Sequence, residues 1–143
     1  MIDDEGQLMV TQPPDGNRPE GDLPKPNKQS LRDELLQSMS GGECLPLGHI
    51  DSVVAYDHPD EPLATRQSRV TMTISSLLTE GLVVIGEIVG GTDAYVDPWK
   101  LSTEDALGRL HQLYVVGNDD DARWKVAIWF SLTPEGERVA EKM

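Results

Sequence analysis

The residue types that could bind a metal ion or act as a nucleophile gather in one stretch of the chain. This stretch contains a thiol, two imidazoles and two carboxylates, contributed by Cys44, His49, Asp51, Asp57 and His58. Their spacing matches no compact zinc motif, and their nitrogen and sulfur ligands are one fewer than a closed structural zinc site requires. A nucleophilic Cys44 would need an orienting group and an oxyanion hole, and no sequence pattern supplies either. We therefore expect no metal site, no cofactor and no catalytic residue.

Other enzyme signatures are also missing from the sequence. The carboxylates Glu87, Asp93 and Asp97 are scattered along a loop-like segment, so the pattern does not support a pair for general acid and base chemistry. The chain contains neither a phosphate-binding loop nor a G-x-G-x-x-G motif. The sequence predicts a protein that is not an enzyme.

The chain is strongly acidic, with 12 Lys and Arg, 25 Asp and Glu, and a formal net charge of −13. Such a charge repels phosphate, so any DNA contact has to come from a local basic patch. No apolar run approaches the roughly 18 residues of a membrane helix, and the acidic N-terminus lacks the apolar segment of a secretory signal. Together with a single cysteine, these features predict a cytoplasmic protein that makes no membrane contact.

The composition divides the 143 residues into three parts. Residues 1–28 are acidic and rich in proline, which predicts a disordered tail because they offer little apolar surface to offset the entropy of ordering. Residues 29–64 predict an accessory helix, capped by Ser30, and a linker with a short strand at Ile50–Tyr56. Residues 65–143 predict the folded domain.

The folded domain is predicted to begin with two amphipathic helices separated by a strand. Apolar residues at helical spacing predict one helix over about residues 70–81 and a second over about 102–114. The β-branched run at 82–85 predicts a short buried strand, and a helix beginning near Ile85 is the competing interpretation. The glycine-containing stretch at 90–98 predicts a loop.

A β-hairpin and a final helix are predicted to complete the domain. The apolar runs Leu113–Val116 and Trp124–Leu132 flank an acidic turn, a pattern typical of two hairpin strands. Alternation along the second run places Trp129 on the more solvent-exposed face and directs four side chains to the core: Trp124, Val126, Ile128 and Phe130. The final helix is predicted to begin after Thr133, which caps it, with Pro134 in its first turn.

Three segments of this domain carry a family resemblance. The segment ALGRLHQLYVV at residues 106–116 is similar to a recognition helix that runs into a wing strand. Asp121-Ala122-Arg123 resembles the D-x-R motif at a wing tip, and SLTPEG at residues 131–136 resembles the passage from the second wing strand into the next helix. Over about residues 66–143 the chain thus resembles the winged helix-turn-helix domains of MarR- and PadR-like proteins. The resemblance implies a small α+β fold, in which helices accompany a β-hairpin wing.

The resemblance further implies a transcription-regulator-like protein that binds double-stranded DNA. Cationic and hydrogen-bonding side chains of the second helix and the wing are then the candidate contacts. They are Lys100, Ser102, Thr103, Arg109, His111, Gln112, Arg123 and Lys125. The carboxylates of Glu104 and Asp105 in the first turn of the same helix oppose its approach to phosphate.

An acidic winged-helix module that binds another protein is the alternative function. Such a module would act as an adaptor, an inhibitor or a DNA mimic, without binding DNA itself. Trp99 and Trp129 are its candidate contacts, because aromatic side chains are enriched at the centres of protein interfaces. The sequence leaves both functions open, and it leaves a homodimer open as well.

Overall fold

The computed structural model describes residues 30–118 and 123–143. From Leu31 onward the described residues belong to one compact unit, which contains six α-helices and one four-stranded antiparallel sheet. The predicted α+β class is therefore confirmed. The tail predicted to be disordered, residues 1–28, lies outside the described residues.

The helices and strands alternate irregularly along the chain. In order, they are α1 (Leu31–Met39), β1 (Leu45–Pro46), α2 (Leu47–Asp57), α3 (Leu63–Thr79), β2 (Val83–Val89), β3 (Tyr95–Pro98), α4 (Thr103–Leu110), a π-helical segment (His111–Val116), α5 (Trp124–Ala127), β4 (Trp129–Leu132) and α6 (Pro134–Glu141). The helices predicted after Ser30, before Gly81, after Ser102 and after Thr133 are thus confirmed.

The last strand of the chain lies inside the sheet. The strand order is β1-β4-β2-β3, and each neighbouring pair is antiparallel. Phe130 of β4 pairs with Leu45 of β1 on one side and with Ile85 of β2 on the other. Strand β3 approaches β2 so closely that a Cβ atom on Gly86 would overlap the carbonyl oxygen of Asp97. The sheet therefore joins residues from both ends of the described chain.

The hairpin expected between Leu113–Val116 and Trp124–Leu132 is not formed. The first run is π-helical and the second begins as the helical turn α5, so only Trp129–Leu132 is a strand, and its partners are β1 and β2. Because α5 is helical, Val126 is 69% exposed rather than directed to the core. The helical path buries Tyr114 against Trp124, with the ring centroids 4.8 Å apart. This aromatic contact replaces the expected strand pairing.

The strand expected at Ile50–Tyr56 is the helix α2 instead. The β-branched residues of this segment favour a strand locally, but Leu47, Ile50 and Val54 recur at helical spacing and are all buried on one face. Tertiary packing of that face outweighs the local β preference. The predicted loop at 90–98 likewise contains a strand, β3, at its end.

A single hydrophobic cluster connects the helices to the sheet. Leu35, Leu36 and Met39 of α1 lie in the same cluster as Leu110 of α4 and Phe130 of β4. The segment predicted as accessory helix and linker thus contributes to the common core. Within the described part of the chain, no helix is both long enough and apolar enough to cross a bilayer.

Candidate nucleic-acid interface

Helices α2 and α3 follow one another along the chain, and the second of them, α3, has an exposed hydrogen-bonding face. Their connection covers residues 58–62, and α3 starts directly after Pro62. The inner face of α3 buries Val70, Ile74 and Leu77. Between Leu63 and Met72, the opposite face carries four exposed side chains, Thr65, Ser68, Arg69 and Met72, which are here called the outer face of α3.

The charge of α3 differs from that of the whole chain. The sequence from Pro62 to Thr79 contains two arginines and no acidic residue, and it is the longest acid-free run in a chain of net charge −13. The flanking acids are Glu61 and Glu80, which lie just outside the helix. The outer face of α3 therefore carries no carboxylate of its own helix, and the charge of its one arginine, Arg69, is balanced by an ion pair with Glu61 in the preceding turn.

A buried polar network fixes α3 against α2 and the π-helical segment. The Asp51 carboxylate, only 8% exposed, accepts hydrogen bonds at Oδ1 from the Tyr114 hydroxyl at 2.5 Å and from Arg66 Nε at 3.1 Å. Gln67 Nε2 donates to the Tyr114 carbonyl at 3.2 Å. Burial and the hydrogen bond to Asp51 raise the pKa of Tyr114. The phenol therefore stays protonated as the donor of this network.

The other arginine of α3 is held by a carboxylate in the turn that precedes the helix. Arg69 Nε donates to Glu61 Oε1 at 2.7 Å, and Arg69 Nη2 donates to Glu61 Oε2 at 2.6 Å. These hydrogen bonds lower the pKa of Glu61 and raise that of Arg69. His58 Nδ1 lies 3.7 Å from Glu61 Oε2. The guanidinium is thus oriented before any ligand is present.

The candidate contacts predicted on the second helix lie on or near α4, and two of them have structural roles. The Ser102 hydroxyl caps α4 by accepting from the Asp105 backbone N–H at 3.1 Å. The Arg109 guanidinium stacks over the Trp99 ring, 4.3 Å from its centroid. Four other candidates are exposed: Lys100, Thr103, His111 and Gln112. Since Glu104 and Asp105 are exposed in the first turn of α4, this helix is a poor match for phosphate.

The two candidates assigned to the wing do not lie on a hairpin. Arg123 directly precedes α5 and Lys125 lies within it. The Lys125 Nζ atom is 5.7 Å from the centroid of the Trp124 ring. Since a Cβ atom on Gly48 would meet the Lys125 backbone, α5 lies close against the start of α2. The wing assignment of both residues was therefore wrong, because the hairpin that should carry them is absent.

The two tryptophans predicted as protein contacts are half-buried. Trp99 packs against the hydrophobic core, and its Nε1 is buried without a hydrogen-bond partner among the described residues. Trp129 Nε1 donates to the Val126 carbonyl at 2.9 Å. Packing therefore accounts for most of the surface of both rings.

A shallow groove runs between α3 and α4. Its volume is about 480 Å³, and its lining includes Met72 and Ser75 of α3 together with Leu107 of α4 and His111. The groove borders the outer face of α3 through Met72. The groove thus separates the C-terminal half of α3 from α4.

The thiol, imidazoles and carboxylates of residues 44–58 do not converge. Within residues 30–118 and 123–143, no group of three His, Cys, Asp or Glu side chains could hold a metal ion. Asp51 is bonded to Tyr114 and Arg66, and burial is the main cause that raises the pKa of the Cys44 thiol. Among the side chains of this segment, Asp51 therefore has a structural role, since it holds Tyr114 and Arg66 in place.

Comparison with models of protein families, with curated proteins and with solved structures finds no match for this chain. The charges and contacts of the described residues therefore carry the functional argument. Sequence reasoning did not single out the outer face of α3 as a candidate surface. The acid-free run from Pro62 to Thr79 was the signal that could have revealed it.

Proposed function

We propose that this protein is a winged-helix, transcription-regulator-like protein that binds double-stranded DNA, with α3 as the helix that enters the major groove. The element order supports the winged-helix assignment. Three helices, α1 to α3, accompany a three-stranded antiparallel arrangement, β1-β4-β2. In this assignment β2 and β4 are the two wing strands. Residues 90–128 are then an enlarged connection that contains β3, α4 and α5.

The observation that carries the proposal is the exposure of polar side chains on α3 together with the absence of acidic residues from this helix. Thr65, Ser68 and Met72 follow one another at spacings of three and four residues, so their side chains share one helix face with Arg69. Arginine recognises guanine, the hydroxyls hydrogen-bond to several bases, and an apolar side chain contacts the methyl group of thymine. The outer face of α3 therefore supplies the side-chain types that base recognition uses.

The net charge of −13 limits the electrostatic part of the binding. Duplex-binding proteins commonly neutralise about 6–10 phosphates, whereas α3 offers two arginines, one of which is bonded to the buried Asp51. We therefore expect weak affinity for random DNA and a shallow dependence on salt. Base contacts, rather than phosphate contacts, would supply most of the discrimination.

Binding to another protein is the second candidate function. Exposed apolar side chains favour it, because Tyr56 is 86%, Val116 64% and Val126 69% exposed. Such side chains would form an interface without using the outer face of α3. Val126→Asp would then abolish capture of the partner, while leaving any DNA binding unchanged.

Titration of the full chain against random duplex at low ionic strength, followed by fluorescence anisotropy, tests the DNA proposal. We expect saturable binding, and we expect Arg69→Ala to weaken it and to lower the salt slope by at most about one unit. Arg138→Ala is the matched control, because Arg138 of α6 forms a similar ion pair with Glu135. Absence of binding at low salt, where phosphate attraction is least screened, would overturn the proposal.

A further inference from the structure

The ion pair between Arg69 and Glu61 uses only one edge of the guanidinium. The carboxylate occupies the Nε and Nη2 edge through the two bonds at 2.7 and 2.6 Å. A guanidinium has five N–H donors, so three remain, two on Nη1 and one on Nη2. These three donors lie at the far end of the side chain, away from Glu61.

The pair is accessible from solvent. The Arg69 side chain is 44% exposed and the Glu61 side chain 26%. Arg69 lies one turn beyond Thr65 on the outer face of α3, and Glu61 lies in the turn before the helix. A duplex that docks on the outer face of α3 can therefore reach the free end of Arg69 without breaking the pair.

We propose that Glu61 is a positioning residue, which holds Arg69 so that its free Nη1 and Nη2 edge reads one guanine in the major groove. This inference rests on the proposed DNA-binding function. The O6 and N7 atoms of guanine accept two parallel N–H bonds from an arginine, the commonest specific contact to DNA. Because Glu61 occupies the Nε and Nη2 edge of the Arg69 guanidinium, the edge formed by Nη1 and Nη2 makes the contact to guanine.

Glu61 affects specific and non-specific binding in opposite directions. Holding the guanidinium in place beforehand reduces the side-chain entropy lost when the base contact forms. The same carboxylate neutralises Arg69, so the pair contributes little to the attraction of phosphate. Removal of the Glu61 charge should therefore weaken recognition of the guanine and strengthen binding to random DNA.

A competing role for Glu61 predicts a different result. If Glu61 only masked Arg69, its removal would raise affinity for every sequence by the same factor. The preference for guanine would then be retained in full. The ratio between affinities for two duplexes separates the two roles, because a uniform change in affinity cancels from it.

The test begins with selection of duplexes from a randomised pool by the full chain. Binding of the selected duplex, and of duplexes with each guanine replaced, is then compared for the wild type, Glu61→Gln, Arg69→Lys and the control Glu135→Gln. Glu135 pairs with Arg138 on α6, which makes it a matched carboxylate. Thermal unfolding of each variant shows that the compared proteins are folded.

We expect one guanine whose replacement weakens wild-type binding by about 5- to 150-fold. The ratio of the affinities for the selected duplex and for the duplex with that guanine replaced should fall most of the way to one in Glu61→Gln. The same variant should bind random duplex at least as tightly as the wild type. Arg69→Lys should lose this ratio too, because lysine keeps the charge but cannot donate the bidentate pair of hydrogen bonds. The control Glu135→Gln should keep the ratio. An unchanged ratio in Glu61→Gln overturns the positioning role alone. Failure of the wild type to retain any duplex at low salt overturns the DNA-binding function, and this inference with it.

Discussion

The Tyr114 hydroxyl donates a 2.5 Å hydrogen bond to Oδ1 of Asp51, a residue 63 positions earlier in the chain. The same oxygen accepts from Arg66 Nε at 3.1 Å. One carboxylate thus connects α2, α3 and the π-helical segment. The orientation of the outer face of α3 depends on this connection, because Arg66 and Arg69 lie three residues apart on the same helix.

Loss of the Tyr114 hydroxyl should destabilise the fold. Tyr114→Phe leaves the buried Asp51 carboxylate with one donor fewer, and we expect a cost of about 1–3 kcal/mol in the free energy of unfolding. Tyr56→Phe is the control, since Tyr56 is 86% exposed, and its cost should stay below about 0.5 kcal/mol. Urea denaturation of both variants provides the measurement. Equal stability of the two variants would show that the hydrogen bond contributes nothing.

Two glycines in helices should respond oppositely to replacement by alanine. A Cβ atom on Gly136 in α6 would overlap the Leu82 carbonyl oxygen, whereas a Cβ on Gly108 in α4 would meet nothing within 4 Å. We expect Gly136→Ala to cost about 1–3 kcal/mol and Gly108→Ala to stabilise by about 0.5–1 kcal/mol, because alanine favours helix. Melting temperatures of the two variants test this. A stabilised Gly136→Ala would contradict the close packing of α6 against Leu82.

The ion pair between α1 and the end of α3 should make stability sensitive to acid. Hydrogen bonds from Arg32 at 2.6 Å and from Ser76 at 2.8 Å lower the pKa of Glu80. A lowered pKa means that the unfolded chain binds this proton more tightly. The stabilisation by Glu80 is therefore present above the ordinary pKa of about 4.3 and is lost as the pH falls through the folded value.

NMR titration of the Glu80 carboxylate measures this effect directly. We expect a pKa below the ordinary value in the wild type. We expect a higher pKa in Arg32→Met, because the positive charge of the guanidinium is removed. Glu80→Gln should make the acid limb of the stability profile slightly less steep, because one of the carboxylates that titrate there is removed. An identical acid limb in Glu80→Gln and the wild type would refute the contribution of this pair.

Local signals in the sequence were sufficient to locate several helix ends. The Thr133 hydroxyl accepts from the Gly136 N–H at 3.0 Å, and the Ser102 hydroxyl accepts from Asp105 at 3.1 Å, as their capping patterns predicted. Gly81, predicted to end a helix, has a φ of 73°, a backbone conformation that glycine adopts without steric cost. Each of these features depends on residues within one helical turn of one another.

The candidate site was predicted less well than the helix ends. The acidic first turn of α4 already counted against that helix as a DNA reader, yet the resemblance placed the contacts there. The outer face of α3 and its arginine Arg69 were missed. Amphipathicity predicted a helix over about residues 70–81, whereas α3 begins at Leu63, so the prediction left out Arg69. The ion pair between Arg69 and Glu61 also requires the turn before α3 to fold back on the helix.

The sequence by itself determined the α+β class, the acidic character of the chain and the helices whose caps and apolar spacing are local. Only the tertiary structure decided that residues 47–57 are a helix, that the expected hairpin is absent and that β4 lies between β1 and β2. The physical reason is the range of the interactions. Caps and helical hydrogen bonds join residues up to four positions apart, whereas Phe130 pairs with Leu45 and Ile85, partners that no local pattern specifies.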